Sequence, residues 1–275
     1  MPELPETETI ARDLDRELSG SRIERVTVTR ADVLRETSAR QLARALAGRT
    51  VVRCRRRAKL IVLELDDRSR LVVQPRFTGA LLIDGGSLDE RERGYSTVAL
   101  HLADGRVLHY RDIRRLGTVS HMRPERWAEY ERLLGAEPLD ESFTDAHLSG
   151  ALRGSRQAVK KLLMDQRRIA GVGNIYANEA LWRAGIDPSR PGDALRERDV
   201  AALRRSLQDV LRQAIAARGT SFRDYRDASG GRGTFAAELS VYGRGGLPCP
   251  RCGTRLVDTN AIDNRTTVFC HRCQT

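Results

Sequence analysis

The chain has 275 residues, and its 48 lysines and arginines against 37 aspartates and glutamates give a formal net charge of +11. This length suffices for two domains and a small appendage. The basic excess favours a polyanionic partner, with nucleic acid ahead of a membrane surface. No apolar run is long enough to cross a bilayer and the N-terminus lacks a signal-peptide pattern, so we expect an intracellular protein.

The sequence of the N-terminal part predicts two helices and many short strands. Residues 5–18 repeat apolar side chains at helical spacing and stop before Gly20. A strand is expected over 22–30, and a short helix capped by Ser38 is expected to reach Leu46. Seven further strands are predicted over 50–56, 59–65, 70–75, 79–84, 96–102, 106–111 and 117–122. Strands at this density predict a β-sandwich with flanking helices.

From residue 124 the pattern becomes helical, with a domain boundary expected near Gly135. Helices are predicted over 124–134, 144–152, 155–166, 174–184 and 195–217. A stretch rich in glycine, serine and arginine over 219–234 predicts a mobile loop. Short strands around the cysteines are expected after residue 238. The chain is therefore predicted to be an α+β multidomain protein.

Four of the five cysteines form two C-x-x-C pairs near the C-terminus. Cys249 and Cys252 are followed, after seventeen residues, by Cys270 and Cys273. This spacing is typical of a tetrahedral four-cysteine zinc site, and a closed set of four ligands indicates a structural ion. The fifth cysteine, Cys54, lies in a predicted strand and is expected to be a small core residue.

Three residues are candidates for contact with phosphate. Asn174 follows a Gly-x-Gly turn, where it could cap the next helix and share its amides with a phosphate, although a plain helical corner has the same pattern. Lys59 stands beside three arginines, and its compact ammonium suits phosphate, unless the run is merely solvated. Arg265 is expected at a hairpin tip between the cysteine pairs, where it either contacts phosphate or points into solvent.

Two apolar residues are expected at loop tips. Phe77 and Leu116 each stand close before a glycine at the end of a predicted strand. Apolar tips on a basic protein are candidate wedges between bases. The alternative is that both side chains belong to the core.

The N-terminus offers a candidate nucleophile. If Met1 is removed, the nitrogen of Pro2 becomes a free secondary amine, which can attack an aldehyde-like carbon and form an iminium. Glu3 can then supply a proton to a ring oxygen. Both residue types also suit the start of a helix, so the two interpretations stand side by side.

Together and in this order, the motifs resemble those of the formamidopyrimidine-DNA glycosylase family over nearly the full length. The most specific are the opening Pro-Glu-Leu-Pro-Glu, the block from Gly171 to Glu179, and Val-Tyr-Gly-Arg at 241–244, which runs into the cysteines. The resemblance implies three domains. They are a catalytic β-sandwich over 1–134, a helix–two-turns–helix domain with a lesion-capping loop over 135–235, and a four-cysteine zinc-finger hairpin over 236–275.

The resemblance implies a bifunctional DNA glycosylase and AP lyase of base excision repair. It would excise 8-oxoguanine and formamidopyrimidines through a proline iminium, with β- and δ-elimination. Pro2 would attack the sugar C1′, Glu3 would protonate the ring oxygen, and Glu6 would support the site. Lys59 and Arg265 would belong to the catalytic residues and, together with Asn174, would contact phosphates. Phe77, Arg115 and Leu116 would fill the void left by the flipped nucleotide.

The resemblance also implies one structural zinc bound by the four cysteines, and double-stranded DNA with oxidised bases or abasic sites as the partner. It implies a monomer in the bacterial cytoplasm, associated with the nucleoid. The family usually has His at Gln74, Met at Phe77 and Phe at Leu116. The wedge pair is thus exchanged, which leaves the preference for the opposite base open.

Two alternatives are carried forward. An endonuclease VIII-type enzyme would share the fold and nucleophile but act on oxidised pyrimidines; Leu4 argues against it, because that branch usually has Gly-Pro at this point. A catalytically silent zinc protein would bind lesions without cutting them, and the presence of Pro2 and Glu3 speaks against that interpretation.

Overall fold

The computed structural model describes residues 2–86, 88–221 and 225–275. The chain divides into two compact units. The first combines Met1–Arg132 with Ala217–Thr234, and the second combines Leu133–Ala216 with Phe235–Thr275. Across the described ranges, no helix has the length and apolar character needed to span a membrane.

The first unit is a two-sheet sandwich with helices. Its helices are α1 (Leu4–Leu18), α2 (Ala39–Leu46), α3 (Glu90–Gly94) and α4 (Pro124–Arg132). Its strands are β1 (Ile23–Val28), β2 (Leu34–Arg35), β3 (Val51–Arg57), β4 (Leu60–Leu65), β5 (Arg70–Gln74), β6 (Gly79–Asp84), β7 (Ser96–Leu102), β8 (Val107–Asp112) and β9 (Thr118–Met122). One sheet has the order β1-β7-β8-β6 and the other β2-β9-β5-β4-β3. The predicted β-sandwich is confirmed.

The core of the first unit takes side chains from both sheets and from α1. Leu63 and Val119 come from the five-stranded sheet, Leu100 and Leu108 from the four-stranded sheet, and Leu14 from α1, and all belong to one buried apolar cluster. Burying side chains of this size stabilises a fold by about 1.5–3 kcal/mol each. The apolar face of α1 therefore fixes the helix that carries the N-terminal motif.

Helix α1 is also tied to strand β3 by polar contacts. Arg56 Nε donates to Glu8 Oε2 at 2.8 Å, and the amide of Cys54 donates to Asp15 Oδ1 at 2.7 Å. Cys54 is buried, as predicted, and this burial together with the nearby Asp15 carboxylate raises the pKa of its thiol. A thiol held protonated in this way is a packing residue rather than a nucleophile.

The second unit begins with a helical region and ends in a hairpin. It contains α5 (Asp145–Leu152), α6 (Val159–Met164), α7 (Asn174–Ala184), α8 (Glu197–Ala216), β10 (Val257–Thr259) and β11 (Thr267–Phe269). The fully buried Leu203, Leu207 and Leu211 form the predicted apolar face of α8. Strands β10 and β11 pair antiparallel, with Val257 opposite Phe269. Short 3-10 turns lie at Ala31–Val33, Gly192–Ala194 and Phe235–Glu238.

A buried carboxylate on α7 holds the chain that leads into the hairpin. Glu179 is fully buried and accepts hydrogen bonds from the amides of Ser240, Val241 and Tyr242 at 2.8–2.9 Å. Charge-assisted hydrogen bonds of this kind are among the strongest in proteins. The acidic end of the Gly171–Glu179 block is thus a structural anchor for the zinc-finger segment.

Candidate active site and nucleic-acid interface

The N-terminal motif forms the first turn of α1. Pro2 and Glu3 are both buried, and the Glu3 amide donates to Glu6 Oε2 at 2.8 Å. The other oxygen of the same carboxylate, Oε1, accepts from the amide of Thr220 at 2.7 Å. Gly219 has φ +86°, and a Cβ there would lie 2.9 Å from the Glu6 side chain. One carboxylate therefore joins the N-terminal turn to the start of the predicted loop.

The base of the 219–234 loop is held by an ion-pair cluster. Arg218 Nη2 donates to Asp13 Oδ2 at 2.5 Å and to Asp227 Oδ2 at 2.6 Å, and Asp227 Oδ1 accepts from the Gly231 amide at 2.6 Å. Residues 222–224 of the loop lie outside the described residues. The described part of the loop is thus fastened to helix α1, which carries Asp13.

The Asp227 cluster predicts a dependence of stability on pH. Burial raises the pKa of Asp227, but hydrogen bonds from Arg218, Ser229 and Gly231 outweigh it and hold the pKa below the usual value. A carboxyl whose folded pKa is depressed stabilises the fold above its unfolded pKa, about 3.9, and loses that contribution as pH falls further. We expect Asp227→Asn to destabilise the first unit by about 1–3 kcal/mol at pH 7.

The measurement is urea unfolding of parent and variant from pH 7 to pH 3. The difference in free energy of unfolding should shrink as pH falls below about 3.9, because the unfolded parent chain then takes up a proton at Asp227 while the folded carboxyl stays ionised to lower pH. A difference of equal size at both ends of the range would contradict this account.

Lys59 lies in the turn between β3 and β4. Its side chain is buried, with 8% exposure, so Lys59 is not part of a solvated basic run. The preceding Ala58 has φ +53°, and Arg56 Nη1 donates to its carbonyl at 3.2 Å. Because Arg56 also pairs with Glu8, this turn is tied to α1. The turn that carries Lys59 is therefore fixed to α1, the helix whose first turn carries the N-terminal motif.

The two predicted loop tips are exposed. Phe77 is 47% exposed and Leu116 is 38% exposed, so the alternative that both are core residues is excluded. Ile113, on the same loop as Leu116, is 39% exposed and was missed by the sequence analysis. Single exposed apolar side chains are common on protein surfaces, and Val52 and Leu133 are exposed more than these, so the wedge role of Phe77 and Leu116 stays a prediction.

The two arginines of the second tip have different partners. The Arg114 guanidinium lies over the ring of Phe77, 5.3 Å from its centroid, which is a cation–π contact. Arg115 has φ +52° and its Nη1 lies 3.0 Å from Asp32 Oδ2. Arg114 was not among the predicted site residues, although its neighbour was. The structure thus places Arg114 directly beside the aromatic wedge candidate.

In the second unit, Asn174 bonds to the carbonyl of Thr266, the residue that follows Arg265. The carbonyl of Thr266 accepts from Lys160 Nζ at 2.8 Å, Asn174 Nδ2 at 3.0 Å and Asn178 Nδ2 at 3.4 Å. Arg265 precedes this residue and its side chain is 50% exposed. Three side chains of α6 and α7 therefore fix the backbone beside an arginine that faces solvent.

The expectation that Asn174 caps α7 is wrong. Gly173 occupies the N-cap position, without a side chain, and Asn174 is the first helical residue. The side-chain Nδ2 of Asn174 instead donates to the carbonyl of Thr266, because the hairpin tip lies beside the start of the helix. The hairpin tip itself turns through Asp263 and Asn264, with φ values of +56° and +51°.

The cysteine cluster fits a tetrahedral zinc ion. The sulfurs of Cys249, Cys252, Cys270 and Cys273 all lie within 4.8 Å of one another. Zinc–sulfur bonds of about 2.3 Å in a tetrahedron require sulfurs about 3.8 Å apart. The amide of Cys270 donates to Gln274 Oε1 at 2.9 Å, which orients the last cysteine pair. The four side chains can hold one closed, structural ion.

Sequence models of three domains match this chain. They describe a formamidopyrimidine-DNA glycosylase N-terminal domain at residues 1–119, a formamidopyrimidine-DNA glycosylase H2TH domain at 134–226, and a zinc finger found in FPG and IleRS at 246–275. The chain belongs to the formamidopyrimidine-DNA glycosylase family. It is a DNA glycosylase of base excision repair, and the family also has AP lyase activity. The predicted family, fold class and structural zinc are confirmed.

Relatives and solved structures cover essentially the whole chain. The formamidopyrimidine-DNA glycosylase of Moorella thermoacetica is 44% identical over 261 residues, covering 93% of each chain, and that of Paracoccus denitrificans is 42% identical over 283 residues, covering all of both. The MutM (FPG) protein of Thermus thermophilus superposes with a TM-score of 0.87 at 35% identity, covering 99% of this chain and 98% of that one. Lactococcus lactis Fpg, in complex with DNA containing an abasic site, gives 0.90 at 32% identity, with 99% of both covered.

Proposed function

We propose that this glycosylase excises oxidised purines, 8-oxoguanine and formamidopyrimidines, from double-stranded DNA and then cleaves the abasic site through Pro2. The observation that carries this proposal is the Glu6 carboxylate, which accepts from the Glu3 amide and from the Thr220 amide. It fixes the candidate nucleophile and the start of the capping loop in one arrangement. The names of the relatives and the abasic-site complex of the Lactococcus enzyme support the substrate class.

The proposed chemistry begins when Met1, which lies outside the described residues, is removed. The nitrogen of Pro2 attacks C1′, the glycosidic bond breaks with its electron pair on the base, and the departing base takes up a proton. Glu3 protonates O4′ as the C1′–O4′ bond opens, which leaves an iminium between Pro2 and the sugar.

Strand cleavage follows from the same iminium. Loss of a proton from C2′ expels the 3′ phosphate by β-elimination, and a second proton loss expels the 5′ phosphate by δ-elimination. Water then adds to the iminium carbon and releases the sugar remnant as an aldehyde, which restores the Pro2 amine. No oxidant or reductant is needed in any of these steps.

The grip on DNA is proposed to come from both units. Lys59, Asn174 and Arg265 contact phosphates, which position the duplex without reading its sequence. Phe77 and Leu116, with Arg115 and the neighbouring Arg114, fill the void left by the flipped nucleotide. Flipping costs a few kcal/mol, and inserted side chains offset part of it.

The proposed setting is a zinc-containing monomer in the cytoplasm of a bacterium, associated with the nucleoid. The relatives that match along the full length are bacterial, which supports this setting. The net charge of +11 suits a protein that works on a polyanion.

Borohydride trapping on a panel of duplexes tests the proposal. We expect reduction to attach the protein covalently to DNA containing 8-oxoguanine or a formamidopyrimidine, with less product on thymine glycol. No covalent product on any lesion would indicate a silent lesion-binding protein. A preference for thymine glycol would indicate an endonuclease VIII-type enzyme and would overturn the purine assignment.

The phosphate contacts predict a steep salt dependence of DNA affinity. The logarithm of the binding constant should fall linearly with the logarithm of salt, by about 0.9 for each neutralised phosphate. Arg265→Ala should weaken binding and reduce this slope by about 1. The measurement is fluorescence anisotropy with lesion duplex at several salt concentrations.

Arg198→Ala is the matched control, because Arg198 is an exposed arginine near the start of α8 with no proposed role. Its slope should equal that of the parent. A flat salt response of the parent, or equal slopes for the two variants, would count against the phosphate role of Arg265.

A further inference from the structure

The two wedge candidates lie on loops that connect the two sheets of the first unit. Residues 75–78 run from β5 to β6, and residues 113–117 run from β8 to β9. Strands β5 and β9 belong to the five-stranded sheet, while β6 and β8 are neighbours in the four-stranded sheet. Gly79 is paired with Asp112 at the end of that neighbouring pair. Both tip loops therefore leave the sandwich at the same edge.

A single buried carboxylate bonds to both tip loops. Asp112 is 2% exposed, its Oδ1 accepts from Thr78 Oγ1 at 2.6 Å, and its Oδ2 accepts from the Gly117 amide at 2.8 Å. Thr78 Oγ1 in turn accepts from the amide of Arg114 at 3.0 Å. Tyr110 also donates to Asp112 Oδ2, at 3.2 Å. Thr78 and Asp112 thus link the loop of Phe77 to the loop of Leu116.

The backbone and side chains around this carboxylate are closely packed. A Cβ at Gly117 would lie 1.9 Å from the Tyr110 hydroxyl and 2.6 Å from the Gln74 carbonyl, so only glycine fits. Burial raises the pKa of Tyr110, which keeps its hydroxyl a hydrogen-bond donor. The backbones of both tip loops meet at this point.

We propose that Asp112 is a positioning residue that holds the two tips, with Phe77 and Leu116, as one preformed wedge. The proposal rests on the proposed function, in which these tips enter the duplex. A preformed element loses little conformational entropy on binding. The favourable contacts of Phe77 and Leu116 are therefore available to offset the unstacking of the lesion.

The test compares two substrates in single-turnover reactions of Asp112→Asn. A paired 8-oxoguanine must be unstacked and flipped, whereas an abasic site has no base to unstack. Excision of the paired lesion should fall on the order of tenfold to a hundredfold, as for a misplaced positioning group. Cleavage of the abasic duplex should stay within about twofold of the parent, because its flipping cost is small.

A second measurement reports the wedge directly. With 2-aminopurine placed beside the lesion, the parent should produce a fast fluorescence rise as the bases unstack. Asp112→Asn should slow this rise by the same factor as excision. A merely structural defect would lower the amplitude, through loss of folded protein, and leave the rate unchanged.

Variants at Thr78 supply the controls. Thr78→Val, which keeps the shape but loses the hydroxyl, should show the same substrate-selective defect, and Thr78→Ser should restore parent behaviour. The double variant should be no worse than Asp112→Asn alone, because both break one link. Asp104→Asn, at an exposed carboxylate in the β7–β8 turn, should match the parent on both substrates.

The proposal is overturned if Asp112→Asn lowers the reaction rates on both substrates equally or leaves the unstacking rate unchanged. If Asp112→Asn does not fold, Thr78→Val decides by the same two criteria. Borohydride trapping of the parent on abasic DNA is scored separately. Its failure would remove the proposed function, whereas failure of the substrate comparison alone would remove only the role of Asp112.

Discussion

Replacing Pro2 with glycine, or Glu3 with glutamine, is expected to abolish base excision while the protein remains folded. Pro2→Gly substitutes a primary for a secondary amine and removes the ring that presents the nitrogen. Glu3→Gln removes the proton donor but keeps the backbone amide that donates to Glu6. Loss of a general acid typically costs a factor of about 10²–10⁴, and the terminal glycine keeps an amine but loses the ring that holds this amine in place for attack.

The measurements are single-turnover excision of 8-oxoguanine and borohydride trapping, with mass spectrometry to confirm that Met1 is absent. Glu17→Gln is the matched control, because Glu17 lies on the same helix with an exposed side chain. All three variants should melt near the parent temperature. If Pro2→Gly excised 8-oxoguanine as fast as the parent, the ring of Pro2 would have no role in catalysis, and the buried amine of Lys59 would be tested next as the nucleophile.

Much of the first unit follows from local sequence patterns. Strands over 79–84 and 96–102 were predicted to the residue, because short runs rich in apolar side chains and bounded by turn residues define them locally. Strand β2 was missed, since it has two residues and exists through parallel pairing with β9. The helix α3 was missed because its five residues are polar and none is buried.

Long-range contacts also explain where predicted helices are too long. The helix expected over 155–166 is observed only over Val159–Met164. Ala158 bridges Pro191, and the Val159 amide donates to the carbonyl of Arg190. The chain before α6 therefore pairs with a distant segment, and nothing in the local periodicity signals that partner.

The same distinction between local pattern and long-range contact applies to the candidate site. The paired cysteines, whose spacing is unusual, could be recognised from the sequence, while the role of the Pro2 amine stays a prediction. Residues that fix the structure through hydrogen bonds to distant partners could not be recognised from the sequence. Asp112, Glu179 and Arg218 are common residue types in a chain with 37 acidic and 48 basic residues. Their partners lie 34, 61 and 205 residues away along the chain. Only the fold brings those pairs together.

Removing zinc is expected to abolish specific DNA binding without unfolding the sandwich of the first unit. The zinc-finger segment has a small apolar cluster around Val241, Leu256 and Val268, to which the cysteines themselves contribute. A core of this size does not hold its fold without the metal, so ion binding supplies the folding free energy. DNA affinity should fall on the order of a hundredfold or more, since the contacts of a disordered hairpin are lost.

Removing zinc should lower the stability of the whole second unit and leave the stability of the first unit unchanged. Lys160 and Glu179 are fully buried charges whose partners include Thr266 and the amides of residues 240–242. Disorder of the hairpin would remove those partners, and a buried charge without its partner is strongly destabilising. Among the residues that the structure describes, the core cluster of the first unit includes none from the hairpin. Calorimetry should therefore show the second unit melting earlier and the first unit unchanged within about 2 °C.

Cys270→Ser should reproduce chelation, with loss of zinc shown by metal analysis and loss of DNA binding by anisotropy. Cys54→Ala gives the opposite pattern, because Cys54 lies in the core of the first unit. That variant should keep its zinc and its DNA affinity while destabilising the first unit by about 1–2 kcal/mol through the cavity it leaves. If chelation instead melted the whole protein in a single transition, the stability of the sandwich would depend on the metal and this separation would fail.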